Sequence, residues 1–178
     1  VWLGEDLRNE NFNNSLPIPD FNQSKADSVG TKFVITNSGE QTMRVFYSSL
    51  AASNILIAPE GWRVPTKSDI EILLEQLGGN SIAGGKLKET EYENWNFPNQ
   101  FATNESTFSA KGTGYRSSLG ILKNAGERYS FWSTDTLNED DATSALYWTL
   151  RLSFDSNYAI LAPDSSNIGH PIRLMKNN

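Results

Sequence analysis

Between residues 145 and 154 apolar side chains fall on every second position. Leu146, Trp148, Leu150, Leu152 and Phe154 share one side, and Tyr147, Thr149, Arg151 and Ser153 share the other. A period of two is that of a β-strand, whose successive side chains point to opposite faces, so the segment predicts a strand with one face in a core and the other meeting solvent. Asp155-Ser156-Asn157 reads as a turn into a further strand over 158–161, and residues 171–175 predict a last strand near the chain end. From Leu87 onward the chain reads as short strands divided by Gly, Asn and Asp turns.

Upstream the period changes. Ile70, Leu73, Leu74 and Leu77 recur at helical spacing. Thr66 and Asp69 precede them at the separation of a capping box, and Gly78-Gly79 supplies a stop. A shorter helix is expected over 43–52, with the aromatics of Val45-Phe46-Tyr47 turned inward. Helices first and antiparallel strands afterwards is the order of an α+β domain with a sheet meander in its second half. No fixed-period repeat and no long linker divides the chain, so residues 1–178 are read as one domain. The first 40 residues differ in texture. Asn-rich around 9–14, with Pro17 and Pro19 favouring extended chain, they are expected to form an arm over the core pinned by Trp2, Leu3 and Phe21.

Charge and side-chain inventory narrow the chemistry. With 15 Lys+Arg against 21 Asp+Glu the net charge is −6, which disfavours a nucleic-acid binder, because phosphates call for a basic face. No run approaches the roughly 18 apolar residues of a membrane span. The absence of cysteine removes disulfides, thiolate metal sites and cysteine nucleophiles, and the single histidine, His170, excludes a histidine-based zinc site. Followed by Pro171, His170 is expected in a surface loop. Glu89, Glu91 and Glu93 alternate, and residues 138–141 form an acidic run. These read as solvated loops, since glycoside cleavage needs two carboxyls facing each other across a cleft and Ca²⁺ needs a built oxygen cage. No metal or cofactor is expected, and the chain is read as not an enzyme. A first residue of Val rather than Met is expected of a trimmed or mature form, from which any export signal has gone.

Several motifs in register then become recognisable: Ala58-Pro59-Glu60-Gly61-Trp62-Arg63-Val64-Pro65-Thr66, Leu77-Gly78-Gly79, Ala83-Gly84-Gly85-Lys86-Leu87-Lys88, Gly114-Tyr115-Arg116, Phe131-Trp132-Ser133-Thr134 and Ile172-Arg173-Leu174. In type, order and spacing, residues 58–176 resemble the Fibrobacter succinogenes major paralogous domain, and residues 2–7 resemble its opening segment. The stretch Val45-Phe46-Tyr47-Ser48-Ser49 and the ending His170-Pro171-Ile172-Arg173 depart from the family's usual wording. The resemblance implies a C-type-lectin-like fold, related to the formylglycine-generating-enzyme type, and a setting in bacterial surface or secreted proteins. The cysteines and histidine cluster used by catalytic relatives of that fold are missing here. Trp62 and Trp132 read as core packing or ligand stacking, and Arg116 and Arg173 as an anion site or as partners of carboxylates and carbonyls.

Recognition is what remains. The late-strand face is expected to present Tyr147, Thr149, Arg151, Ser153, Asn157 and Tyr158, with Thr134 and Asp135 alongside, residue types that combine rigid aromatic area, adaptable hydrogen bonds and a forked cation. The resulting expectation is a non-catalytic binding or adhesion domain at the surface of a bacterium, or carried by an associated phage, engaging a glycan or a protein. Two other classes stand behind it: a structural or assembly module of a surface lipoprotein or pilus, using the arm as its contact, and, lower, a carboxylate-dependent polysaccharide hydrolase.

Overall fold

Strands β1 (Lys32–Thr36) and β2 (Met43–Tyr47) pair antiparallel and lead through helix α1 (Ser49–Ser53) to the short strand β3 (Trp62–Arg63). Helices α2 (Lys67–Gln76) and α3 (Asn80–Leu87) follow. Then come the short strands β4 (Tyr115–Arg116) and β5 (Leu122–Lys123), the longer strands β6 (Arg128–Thr136), β7 (Leu146–Ser153) and β8 (Ala159–Ser165), and finally β9 (Met175–Lys176). This computed structural model describes residues 1–21, 30–36, 43–137 and 145–177. Among them the sheets are β1-β2, β3-β9, β4-β5 and the three-stranded β6-β7-β8, all antiparallel, and with the intervening helices they make the architecture α+β.

Helix α2 forms where its local signals place it. The Thr66 hydroxyl accepts the Asp69 N–H at 3.2 Å while the Asp69 carboxylate accepts the Thr66 N–H at 2.7 Å, a reciprocal cap that satisfies two donors the first turn leaves free. The Arg63 guanidinium grips the same carboxylate, at 2.8 Å through Nη2, and holds its pKa far below the ordinary carboxylate range. Ile70, Leu73 and Leu74 are buried. Gly78 and Gly79, at φ of 96° and 92°, end α2 and turn the chain into α3 in a conformation that glycine adopts at little steric expense.

The three-stranded sheet packs a core cluster against each face, and this corrects the expected solvent face of β7. Registers place Phe131 opposite Leu150 and Tyr129 opposite Leu152. Those four join Ile70, Leu73, Leu74, Ala83, Leu87, Trp95 and Phe108 in one core cluster. On the reverse face Trp132 and Tyr147 join Val45, Tyr47, Ala51, Ile57, Ile172 and Leu174 in a second. The alternation in β7 was real, but the odd-numbered side also has a roof, built from β2, α1 and residues 170–174.

Three other expectations are revised. Residues 43–47 form a strand, not the start of a helix. Val45, Phe46 and Tyr47 suit a pleated surface, and only after Ser48 supplies an N-cap does α1 begin. Residues 171–174 do not enter a sheet. Their carbonyls instead receive the N-terminal segment, with Leu7 N–H donating to Ile172 O and Leu3 N–H to Leu174 O, each at 2.8 Å, and only Met175–Lys176 pairs, with β3. Of the 40 residues expected as an arm, 22–29 and 37–40 lie outside the described residues, Lys32–Thr36 form β1, and the segment 1–21 contributes side chains to the core. Leu7, Phe12 and Ile18 are buried, and Trp2 packs its ring 5.7 Å from Phe108 and 5.9 Å from Phe131. Asp6 accepts from the Tyr129 hydroxyl and, at 2.8 Å, from Arg173 Nε. Arg173 is thereby assigned to a carboxylate, with the Leu3 and Phe108 carbonyls as further acceptors, while Arg116 lies 3.5 Å above the Phe21 ring and donates to Asn167 O.

Candidate functional site

The eight residues expected on one recognition surface separate into groups. Tyr147 and Thr149 are inside. Tyr147 meets Trp132 edge-on at 6.2 Å, and the Thr149 hydroxyl, fully buried, donates to Ala162 O at 2.8 Å. Their inclusion on an open face is therefore corrected, the reason being the second core cluster beneath them. Thr134 and Asp135 seat α2, with Thr134 N–H on Pro65 O at 2.9 Å and Asp135 Oδ2 taking the Lys67 N–H at 2.6 Å. Asn157 holds α3 by accepting the Gly85 N–H at 3.0 Å. The other three, Arg151, Ser153 and Tyr158, line a single groove of about 310 Å³ at the far end of the sheet.

That groove exists because the roof over the odd-numbered face of β7 stops short of its end. Its floor is ionic. Arg151 Nη2 donates to Asp164 Oδ2 at 3.0 Å and to Pro163 O at 2.8 Å, and its Nε reaches the Thr149 hydroxyl at 3.1 Å. Arg128 approaches the same carboxylate at 3.5 Å and stacks 4.7 Å over the Tyr115 ring; burial and the neighbouring Arg151 push its pKa down. Burial alone would raise the pKa of Asp164, but the hydrogen bond from His170 and the adjacent cations bring it below the ordinary value. The rim is adaptable: Tyr158 is 57% exposed and Ile160 53%, with Ser153 and Ser156 between them. Such a rim can stack, bury aliphatic area and hydrogen-bond.

Arg128 and Asp164 escaped the sequence reading. The signal was present in β8, where Ile160 and Asp164 face the side of Arg151 and Tyr147 by register.

Behind the groove lies a trio that also went unread. Ser130 Oγ is 2.8 Å from His170 Nδ1, and His170 Nε2 is 3.0 Å from Asp164 Oδ2. His170, expected in a surface loop, is fully buried with its ring 4.5 Å from that of Trp132, because a serine and an aspartate satisfy both nitrogens inside. The residue types are those of a hydrolytic triad, but Ser130 is sealed, and neither it nor His170 lines any of the four described grooves. A nucleophile must reach its substrate, so this trio acts as a polar lock in the core.

The remaining candidates resolve into structural contacts. Glu89 is buried, which raises its carboxyl pKa, whereas Glu91 and Glu93 point to solvent. The acidic run 138–141 lies outside the described residues. Among the described residues no group of three or more His, Asp or Glu side chains is placed to hold a metal ion, and no helix is long and apolar enough to cross a membrane.

Compared with known families, residues 1–176 match the family model described as the Fibrobacter succinogenes major domain. No curated protein and no solved structure was found to match the chain.

Proposed function

The chain belongs to the Fibrobacter succinogenes major domain family, and on that premise we propose that it is a non-catalytic recognition domain of a bacterial surface or secreted protein, or of an associated phage, engaging a glycan or a protein. The observation that carries this reading is the groove at the open end of the β6-β7-β8 sheet, where Tyr158 and Ile160 stand exposed beside Arg128 and Arg151, two cations held in place by Asp164. A fixed ionic floor with a free aromatic rim gives orientation from below and contact area at low entropy loss from above. A C-type-lectin-like fold suits the helices packed on antiparallel sheets. An assembly role worked by a free N-terminal arm is less favoured, because Leu7, Phe12 and Ile18 are committed to the core.

The test is a binding screen against glycans and surface proteins with the folded chain and its Tyr158→Ala variant. A ligand whose affinity drops at least tenfold in Tyr158→Ala at unchanged melting temperature supports the groove. A ligand indifferent to Tyr158→Ala and to Ile160→Ser moves recognition elsewhere, and failure of every ligand counts against the recognition reading itself.

A further inference from the structure

We propose that the opposite face of the same sheet carries a second, independent binding site: the groove at Trp148, which takes a neutral oligosaccharide. Trp148 has the spacing of a core residue, yet it is only half-buried. It lies where β6 bulges between Trp132 and Thr136 and opposite Pro163 of β8. A concavity of about 540 Å³ opens beside it, with Leu161 next to the indole, Lys67, Glu71 and Glu75 of α2 as one wall, and the Gly78-Gly79-Asn80 turn closing the end. The space beside the turn is open: a Cβ built on Gly79 would meet nothing within 4 Å.

Two features point to a ligand. The buried Trp95 and Trp132 donate their indole N–H groups to Ala110 O and Tyr47 O at 2.8 and 2.7 Å, whereas that of Trp148, half-buried like Trp2 and Trp62, has no acceptor among the described residues and is left to solvent or a ligand. The wall, moreover, offers both kinds of hydrogen-bonding partner to hydroxyls. Glu71 and Glu75 accept, and Lys67 and Asn80 donate; Lys67 pairs with Glu71 at 3.0 Å and its ammonium lies 4.6 Å over the Trp148 ring, a contact that a sugar stacked on that face displaces. A hexose ring has the complementary make-up, an apolar C–H face to lie against an indole and a girdle of hydroxyls that donate and accept. Two carboxylates against one ammonium leave the wall negative, which selects neutral sugars over uronates or sulfated chains. Glu71 and Glu75 stand four residues apart on one helix, hence on one side of the groove. They cannot flank a glycosidic bond from opposite faces, so the site binds without cleaving.

The experiment titrates the whole chain with neutral oligosaccharides (gluco-, xylo-, manno- and chito-hexamers) and with an oligogalacturonate, following tryptophan fluorescence and its protection from iodide quenching. Saturable protection by a neutral oligomer, none by the oligogalacturonate, and at least tenfold weaker binding in Trp148→Phe is the expected result. Glu75→Ala, on an exposed side chain that packs against nothing in the core, reports on the site even where Trp148 variants fold poorly, and it too is expected to weaken binding several-fold. The inference is overturned if no neutral oligomer saturates, if the acidic one binds as well, or if both variants bind like the parent. Tyr158→Ala separates the two grooves: saccharide binding lost there and retained in the Trp148 variant overturns this site while leaving the recognition reading standing.

Discussion

Ser130 and His170, 40 residues apart in sequence, face each other across 2.8 Å in the interior, the serine hydroxyl against Nδ1. Asp164 on the other ring nitrogen is a carboxylate and can only accept, so Nε2 carries the proton and Nδ1 receives the hydroxyl hydrogen of Ser130. Burial keeps the histidine neutral near pH 7, pushing its pKa down to about 4 even though Asp164 pulls the other way.

A pH dependence of stability follows. Well above pH 6.5 neither the folded nor the unfolded chain has an appreciably protonated histidine, and the full stability is present. As pH falls from 6.5 toward 4 the unfolded chain takes up a proton that the folded one refuses, so stability declines by about 3 kcal/mol over that window and the histidine contributes no further slope below it. Urea midpoints measured between pH 7.5 and 4 should show this slope, and His170→Gln should flatten it. An equal slope in the variant would assign the effect to other groups.

Gly84→Ala sets two magnitudes against each other. Within α3 an alanine should gain about 1 kcal/mol from helix propensity. A Cβ there, however, would lie 2.5 Å from Tyr158 O and 2.6 Å from Asn157 O, backbone atoms at the entry to β8 that cannot swing aside. Overpacking of this kind costs about 1–3 kcal/mol, and the clash with backbone puts it at the upper end, so the variant is expected to be destabilised by about 1–2 kcal/mol in thermal or urea unfolding. A stabilised variant would show that α3 can move off the sheet freely.

How much of this was written locally decides how much was legible. Helix α2 could be read because Thr66, Asp69, the 70-73-74-77 spacing and Gly78-Gly79 are neighbours in sequence and each determines the same outcome. Strand β7 was equally legible as a strand. Which of its faces met water was not, since the roof over Tyr147 comes from Trp132, Val45 and Ile172, contributed by three distant stretches. His170 and Lys88 were misread or passed over for the same reason: a polar side chain is buried only if partners await it, and theirs lie on other elements. Of the candidate surface, Arg151, Ser153 and Tyr158 line a common groove because they sit beyond the edge of that roof.

Lys88 illustrates the energetics of such a partnership. Fully buried, it donates to the carbonyls of Gln100, Ser153 and Ser156 at 2.8, 2.9 and 2.9 Å, tying the end of α3 to the loop that follows it and to the β7–β8 turn. Burial lowers its pKa to about 8, so the charge is held at a cost. Lys88→Met relieves that cost but strips three inward carbonyls of their donor, and the loss of partners outweighs the relief. Destabilisation of about 3 kcal/mol is expected, with faster amide exchange at 100–102 and 153–157. A variant as stable as the parent would mean the carbonyls find water instead.

Two tyrosines only eleven positions apart should behave oppositely. Tyr147 is 8% exposed and packs into the cluster that contains Trp132, so Tyr147→Ala removes a large buried ring and is expected to lower stability by about 3–5 kcal/mol. Any binding it abolished would report unfolding. Tyr158 is 57% exposed, and its ring lies on the groove rim, so Tyr158→Ala should shift the unfolding free energy by no more than about 0.5 kcal/mol. Paired urea curves decide the matter before any ligand is added. If Tyr158→Ala proves as damaging as Tyr147→Ala, its ring belongs to the core and the groove loses its aromatic edge, whereas a stable Tyr158→Ala makes that variant the clean probe of recognition.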